Sequence, residues 1–212
     1  MWDPGPSKLE EAALITLALL LAALQAGPAS VAVQNTTEKV RSAMDRYLKA
    51  QGAAKTKARE QARAAVGQLI DFQSLARSTL GSKWAELKPA GQKRYVDALR
   101  GAMEANYLVK MGKAKSEDVA RVKTEIGPEQ PQGDKVLVKT TVKSGQDVAA
   151  IDYLMEKTPK GWRAVDVITE GVSLVETYRE QVGKLLPKKG IEGVISALEK
   201  KRKSLESELQ AK

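Results

Sequence analysis

The feature that most constrains this chain is a change of hydrophobic period near residue 116. From there the sequence runs through DVARVKTEIG, DKVLVKTTVKSG, QDVAAIDYLMEKT and GWRAVDVITEG, all rich in Val, Ile, Thr and Tyr. GPEQPQG (127–133), SGQ (144–146) and TPKG (158–161) punctuate them with turn-forming residues. Strands joined by such short connections can pair only antiparallel, so the pattern predicts a four-stranded meander. In the second run Val136, Val138, Thr140 and Val142 alternate with Lys135, Lys139 and Lys143, which makes one face covered and one wet. In the third, Ala149, Ile151, Tyr153 and Met155 alternate with Ala150, Asp152 and Leu154, so this strand is apolar on much of both faces. The fourth sets Val165 and Val167 against Trp162, Ala164, Asp166 and Ile168.

Before this region the period is helical. Over 33–112, Val40, Ala43, Met44, Tyr47 and Leu48 form one stripe, with Thr37 placed to cap its start. Ala62, Val66, Leu69 and Ile70 form a second, followed by Phe72, Leu75 and Leu80 up to a stop at Gly81. Pro89 suits a first helical turn, and Tyr95, Val96, Leu99, Met103, Tyr107 and Leu108 continue from it. After the fourth strand, Gly171 permits a sharp turn, and Ser173 with Glu176 makes a capping box for a helix through Leu186. Pro187 and Gly190 break that helix, and a last one runs from Ile191 into the charged EKKRKSLESELQAK. The expected architecture is α+β: a helical subdomain at 33–112, a curved sheet with closing helices at 113–205, and a charged tail at 206–212.

The first 32 residues read as a secretory signal peptide. AALITLALLLAALQA (12–26) is uncharged and apolar, shorter than the ~20 residues a membrane span needs. Ser30-Val31-Ala32 offers a small-x-small cut. The preceding segment departs from the usual pattern, with Lys8 outnumbered by Asp3, Glu10 and Glu11. Removing residues 1–32 makes an already basic chain, +9 overall, more so.

Composition excludes much chemistry. With neither cysteine nor histidine there is no disulfide, thiolate nucleophile or imidazole base, and no ordinary zinc site; no cofactor or metal is implied. Aromatic residues make up only 4%, too few for base-stacking platforms, and the one dense basic run, KKRK at 200–203, has no groove-reading motif around it. Asp152 and Asp166 fall on neighbouring strands; each is either an acid in an apolar pocket, able to abstract a proton, or a carboxylate facing water or a lysine. Trp162 and Tyr153 are either a ligand wall or core. Glu170 has no partner placed by spacing. A domain with this much apolar surface and no reaction centre either packs solid or encloses an apolar ligand.

The segment GWRAVDVITEGVSLVETYREQVGKLL (161–186) resembles the signature of the MlaC family, also called the toluene-tolerance auxiliary components. The residues carrying the likeness are Trp162, Asp166, Val167, Glu170, Gly171, Val172, Ser173, Leu174, Val175, Tyr178, Arg179 and Gln181. LARSTLGSKW (75–84), Gln92 with the apolar helix to Tyr107, and GIEGVISAL (190–198) extend the resemblance over residues 36–205. Val165, Thr177 and Val182 depart from the family pattern. The resemblance implies a cone related to nuclear-transport-factor-like and cystatin-like folds, with a helical subdomain against it. It implies a monomeric, non-enzymatic periplasmic protein of Gram-negative bacteria that holds phospholipid acyl chains in an apolar cavity. It further implies shuttling between an outer-membrane lipoprotein complex and an inner-membrane ABC transporter with an MCE-domain ring, which maintains outer-membrane lipid asymmetry. Hopanoid or another polycyclic lipid is the alternative cargo, and a cone-fold enzyme using Asp152 or Asp166 the alternative class.

The physical demand of such a role is steep. A two-chain lipid in water exposes roughly thirty methylenes, at a cost on the order of 20 kcal/mol. A dry cavity offsets this, provided it buries no unpaired polar group. The lining expected from residue type and placement is Tyr107, Val136, Val138, Ile151, Tyr153, Val165, Val167, Val172, Val175 and Tyr178. Arg179 is expected near the head group or in a salt bridge beneath the mouth.

Overall fold

The computed structural model describes residues 27–111 and 116–210. The apolar run of the signal-peptide reading thus lies outside the described residues, as do the last two residues of the tail. Helix α1 spans Pro28–Lys49, α2 Gly52–Leu69, α3 Phe72–Leu80 and α4 Pro89–Met111, with a 3-10 turn at Gly81–Glu86 between the last two. After α5 (Ser116–Arg121) come β1 (Lys123–Gln132), β2 (Lys135–Ser144), β3 (Asp147–Thr158), β4 (Gly161–Thr169) and β5 (Val172–Ser173), then α6 (Leu174–Gln210). No helix among the described residues is long and apolar enough to cross a membrane.

The strands form one antiparallel sheet in sequence order. It has five strands, which corrects the expectation of four. Glu170 and Gly171 both take positive φ, 50° and 76°, and this tight reversal folds Val172 and Ser173 back on Thr169 and Ile168 before the helix begins. Glu170 holds the turn in place: its N–H donates to the Ala150 carbonyl (3.0 Å), and its Oε1 accepts from the Ala150 N–H (2.5 Å). These bonds support a conformation that a non-glycine residue otherwise disfavours.

Helix α1 begins nine residues before Thr37, which lies inside it and donates its hydroxyl to the Gln34 carbonyl. The early start has a tertiary cause. Ala29 and Val33 are fully buried against Val138, Met155, Ala164 and Leu69, so the first turns of α1 lie on the sheet. A second core joins α3, α4 and α6 through Leu75, Tyr95, Leu99, Tyr178, Val194 and Ile195. A third, between α1, α2, α4 and α5, contains Met44, Tyr47, Ala62, Leu108 and Val119. Helix α6 breaks at Gly190 (φ 62°, ψ −177°), close to the break expected from Pro187 and Gly190, and resumes through Gln210. Arg63 and Arg100 both bind the nearly buried Glu104, at 2.7 Å each, which ties α2 to α4.

Candidate functional site: an apolar sheet face under helix α4

Register decides which strand residues share a face. Val138 pairs with Tyr153, and Tyr153 with Val167; Val136 pairs with Met155, and Met155 with Ala164. Directly opposed residues point the same way, so Val136, Val138, Ile151, Tyr153, Met155 and Val167 share one face. At the Met155 end this face is closed by Ala29, Val33 and Leu69. Trp162 packs there too, as part of the core around the sheet. At the other end Ile151, Tyr153 and Val167 remain only partly buried.

Tyr107 on α4 meets this open end. Helix α4 packs most closely on α6 and α3, and at Leu108 also on α1, α2 and α5. Burial raises the pKa of the Tyr107 hydroxyl, yet 39% of the residue stays exposed. A side chain surrounded by protein and still accessible borders open space rather than packed core. The Tyr153 hydroxyl is pushed up as well, first by burial and then by the charge of the Tyr107 phenol. Among the described residues neither hydroxyl has a hydrogen-bond partner.

The remaining expected residues fall elsewhere. Val165 is buried at the irregularity where β4 carries one extra residue against β3. Val172 is 62% exposed on the short edge strand. Val175 and Tyr178 belong to the core between α3, α4 and α6, where burial raises the Tyr178 pKa and Lys201 lies 5.7 Å from the ring. Arg179 donates to the Ser78 carbonyl (3.0 Å) and to Glu176 Oε1 (2.6 Å), so it fastens α6 to the end of α3.

The two aspartates are committed to main chain and hydroxyl groups. Asp166 lies on the face opposite Tyr153, where Oδ1 accepts from the Val167 and Val175 N–H groups (2.8 and 3.1 Å) and Oδ2 from Ser173 Oγ (2.5 Å). Ser173 Oγ in turn accepts from the Glu176 N–H (3.0 Å), so aspartate and serine together cap α6. Asp152 Oδ1 accepts from the Thr140 N–H (3.2 Å), while the Thr140 hydroxyl donates to the Ile151 carbonyl. Among the described residues no group of three or more acidic side chains is placed to hold a metal ion.

Sequence reasoning missed Glu129. An irregularity between Ile126 and Glu129 inserts one residue into β1, and Glu129 then opposes Val138 on the face where α1 begins. Its Oε1 accepts from the Ser30 N–H at 2.8 Å. Residues 127–133, expected from their composition as a connection, are instead strand as far as Gln132, and only there does Gly127-Pro128 mark the irregularity, since proline within a strand marks an edge or a bulge.

Two comparisons bear on this arrangement. A phospholipid-binding protein from Ralstonia solanacearum, solved in complex with a phospholipid, superposes with a TM-score of 0.73. The match covers 84% of this chain and 99% of that one at 20% sequence identity, and therefore speaks to the fold, a curved antiparallel sheet with helices against it. The sequence pattern described as MlaC protein fits residues 34–200, reaching from α1 into the last part of α6. The chain belongs to the MlaC protein family.

Proposed function

We propose that this protein is a periplasmic carrier that shelters phospholipid acyl chains between the sheet and α4, and shuttles them between outer- and inner-membrane complexes. The observation that carries this reading is the half-covered apolar face of Ile151, Tyr153 and Val167, together with the exposed Tyr107 of α4, whose phenol acts electrostatically on Tyr153. Val136 and Val138 continue the same apolar face toward its closed end. The phospholipid-bound relative of the same fold and the family membership support a lipid as cargo. Val172 stands at the exposed edge beside this region. Val175, Tyr178 and Arg179 act one layer behind, by holding α6 in place. The sheet and helices then form a cone that keeps the chains dry and leaves the head group in water.

The two phenol hydroxyls favour a glycerolipid over a polycyclic hydrocarbon. Neither hydroxyl is bonded within the described residues, and ester carbonyls between head group and chains could accept from them. The proposed partners are an ABC transporter with an MCE-domain protein in the inner membrane and a lipoprotein complex in the outer one. The protein needs no catalytic group for this work.

The test is purification from a Gram-negative host followed by mass spectrometry of extracted lipid. Co-purified phospholipid is expected, with hopanoid competing poorly. Empty protein that also takes up no lipid from phospholipid vesicles would overturn the proposal.

A further inference from the structure

The first turn of α1 is built into the sheet. Ala29, Ser30 and Val33 are 0%, 1% and 0% exposed. The extra residue in β1 turns Glu129 toward this helix start, where it accepts from the Ser30 N–H. A Cβ on Gly27 would stand 2.2 Å from Glu129 Cδ and Oε2, so a larger residue there would displace the Glu129 carboxylate. The Gly27 nitrogen lies about 2.5 Å from that Cβ position by covalent geometry, and hence within about 5 Å of the carboxylate.

A cut after Ala32 would strip Ala29 and Ser30 from the fold. It would uncover Val138, Met155 and Ala164, and leave Glu129 without the Ser30 N–H that it accepts from. We propose that the export leader is instead removed at the Ala26–Gly27 bond, which keeps the small Ala26 before the cut although Leu24 departs from the small-x-small pattern, and that the Gly27 ammonium so created pairs with Glu129. The proposal rests on the exported-carrier reading. Water is the co-reactant and a leader peptidase the catalyst. The C–N bond breaks, hydroxyl joins the Ala26 carbonyl carbon, and Gly27 departs as an amine that is protonated at neutral pH. The new cation then sits beside an anion already oriented by β1, so processing completes the N-terminal anchor of the domain.

The first measurement is the intact mass of the periplasmic product of the full-length chain. A product beginning at Gly27 is expected; one beginning at Val33, or an uncut chain, overturns the assignment. The second compares the Gly27-initiated protein with its N-acetylated form, which lacks the terminal charge. Acetylation is expected to lower Tm by about 2–4 °C, and to have no effect in Glu129→Gln. An equal acetylation effect in both backgrounds, or none in either, removes the ion pair. Lipid extracted from the same preparation reports on the carrier reading separately, because a lipid-loaded product with another N-terminus fails only the processing claim.

Discussion

Replacement of Asp166 separates a structural carboxylate from a chemical one. Its two oxygens accept from three donors that position β4 and the start of α6: Val167 N–H, Val175 N–H and Ser173 hydroxyl. Loss of a helix cap costs about 1 kcal/mol, and hydrogen bonds to a charged group about 1.5–3 kcal/mol each before water takes over the abandoned donors. Asp166 is only partly buried, so water re-solvates some of them. Asp166→Ala is therefore expected to cost about 3 kcal/mol. Asp166→Asn keeps one oxygen for both N–H groups, and its amide can donate to Ser173; it is expected to cost about 1 kcal/mol. At about 2–4 °C per kcal/mol for a chain of this size, the alanine variant melts roughly 6–12 °C lower and the asparagine variant roughly 2–4 °C lower. Melting followed by circular dichroism measures both. Lipid uptake per folded molecule, assayed well below either transition, is expected to match wild type, because the carboxylate lies on the sheet face opposite Tyr153. Wild-type melting of Asp166→Ala would refute the capping role. Normal melting of Asp166→Asn with lost function would point to carboxylate chemistry.

Tyr95 is fully buried, and its pKa is pushed up to about 12, mainly by burial. The folded state thus favours the protonated phenol; its contribution, about 2–3 kcal/mol, is whole below pH 10 and lost as pH rises from about 10 to 12. Denaturant titrations across that range are expected to show a shallower loss in Tyr95→Phe, and parallel curves would contradict this. Glu104→Ala leaves Arg63 and Arg100 facing each other and is expected to cost about 2–3 kcal/mol, less than a fully buried pair because both arginines keep about a third of their exposure; chemical denaturation checks it, and Arg63→Met with Arg100→Met should restore part of the loss. Ile151→Trp places a large ring in the open end of the sheet face. It is expected to reduce lipid uptake from vesicles severalfold with little change in Tm, and unchanged uptake would argue against that face as the lipid wall.

Much of the fold was legible because local rules and tertiary demands agree. The meander is written in alternating Val and Lys at 135–143 and in turn residues at 144–146 and 158–161. Gly81 and Pro89 bound their helices as expected, and Ser173 caps α6. The fifth strand was hidden because two residues have no period; only the left-handed turn at Glu170-Gly171 and pairing to β4 create it. The start of α1 was hidden because its cap is Glu129, about a hundred residues away in sequence. Of the residues named for the lining, alternation grouped Val136, Val138, Ile151, Tyr153 and Val167, since strand period alone assigns them to a face once register is known. Val175 and Tyr178 look equally apolar in sequence, yet helix rotation turns them into the core with α3 and α4.

By itself, then, the sequence determined the helical and strand periods, the antiparallel order that short turns enforce, and the absence of thiol and imidazole chemistry. Those properties depend on neighbours a few residues apart or on composition alone. Only the tertiary structure decided which apolar residues fill the interior and which border open space. That choice depends on where α4 stands relative to β3, on the extra residue that turns Glu129 toward α1, and on carboxylates spent on distant N–H groups. Each is a contact between segments far apart in the chain, and hydrophobic pattern carries no information about how far one apolar face stands from another.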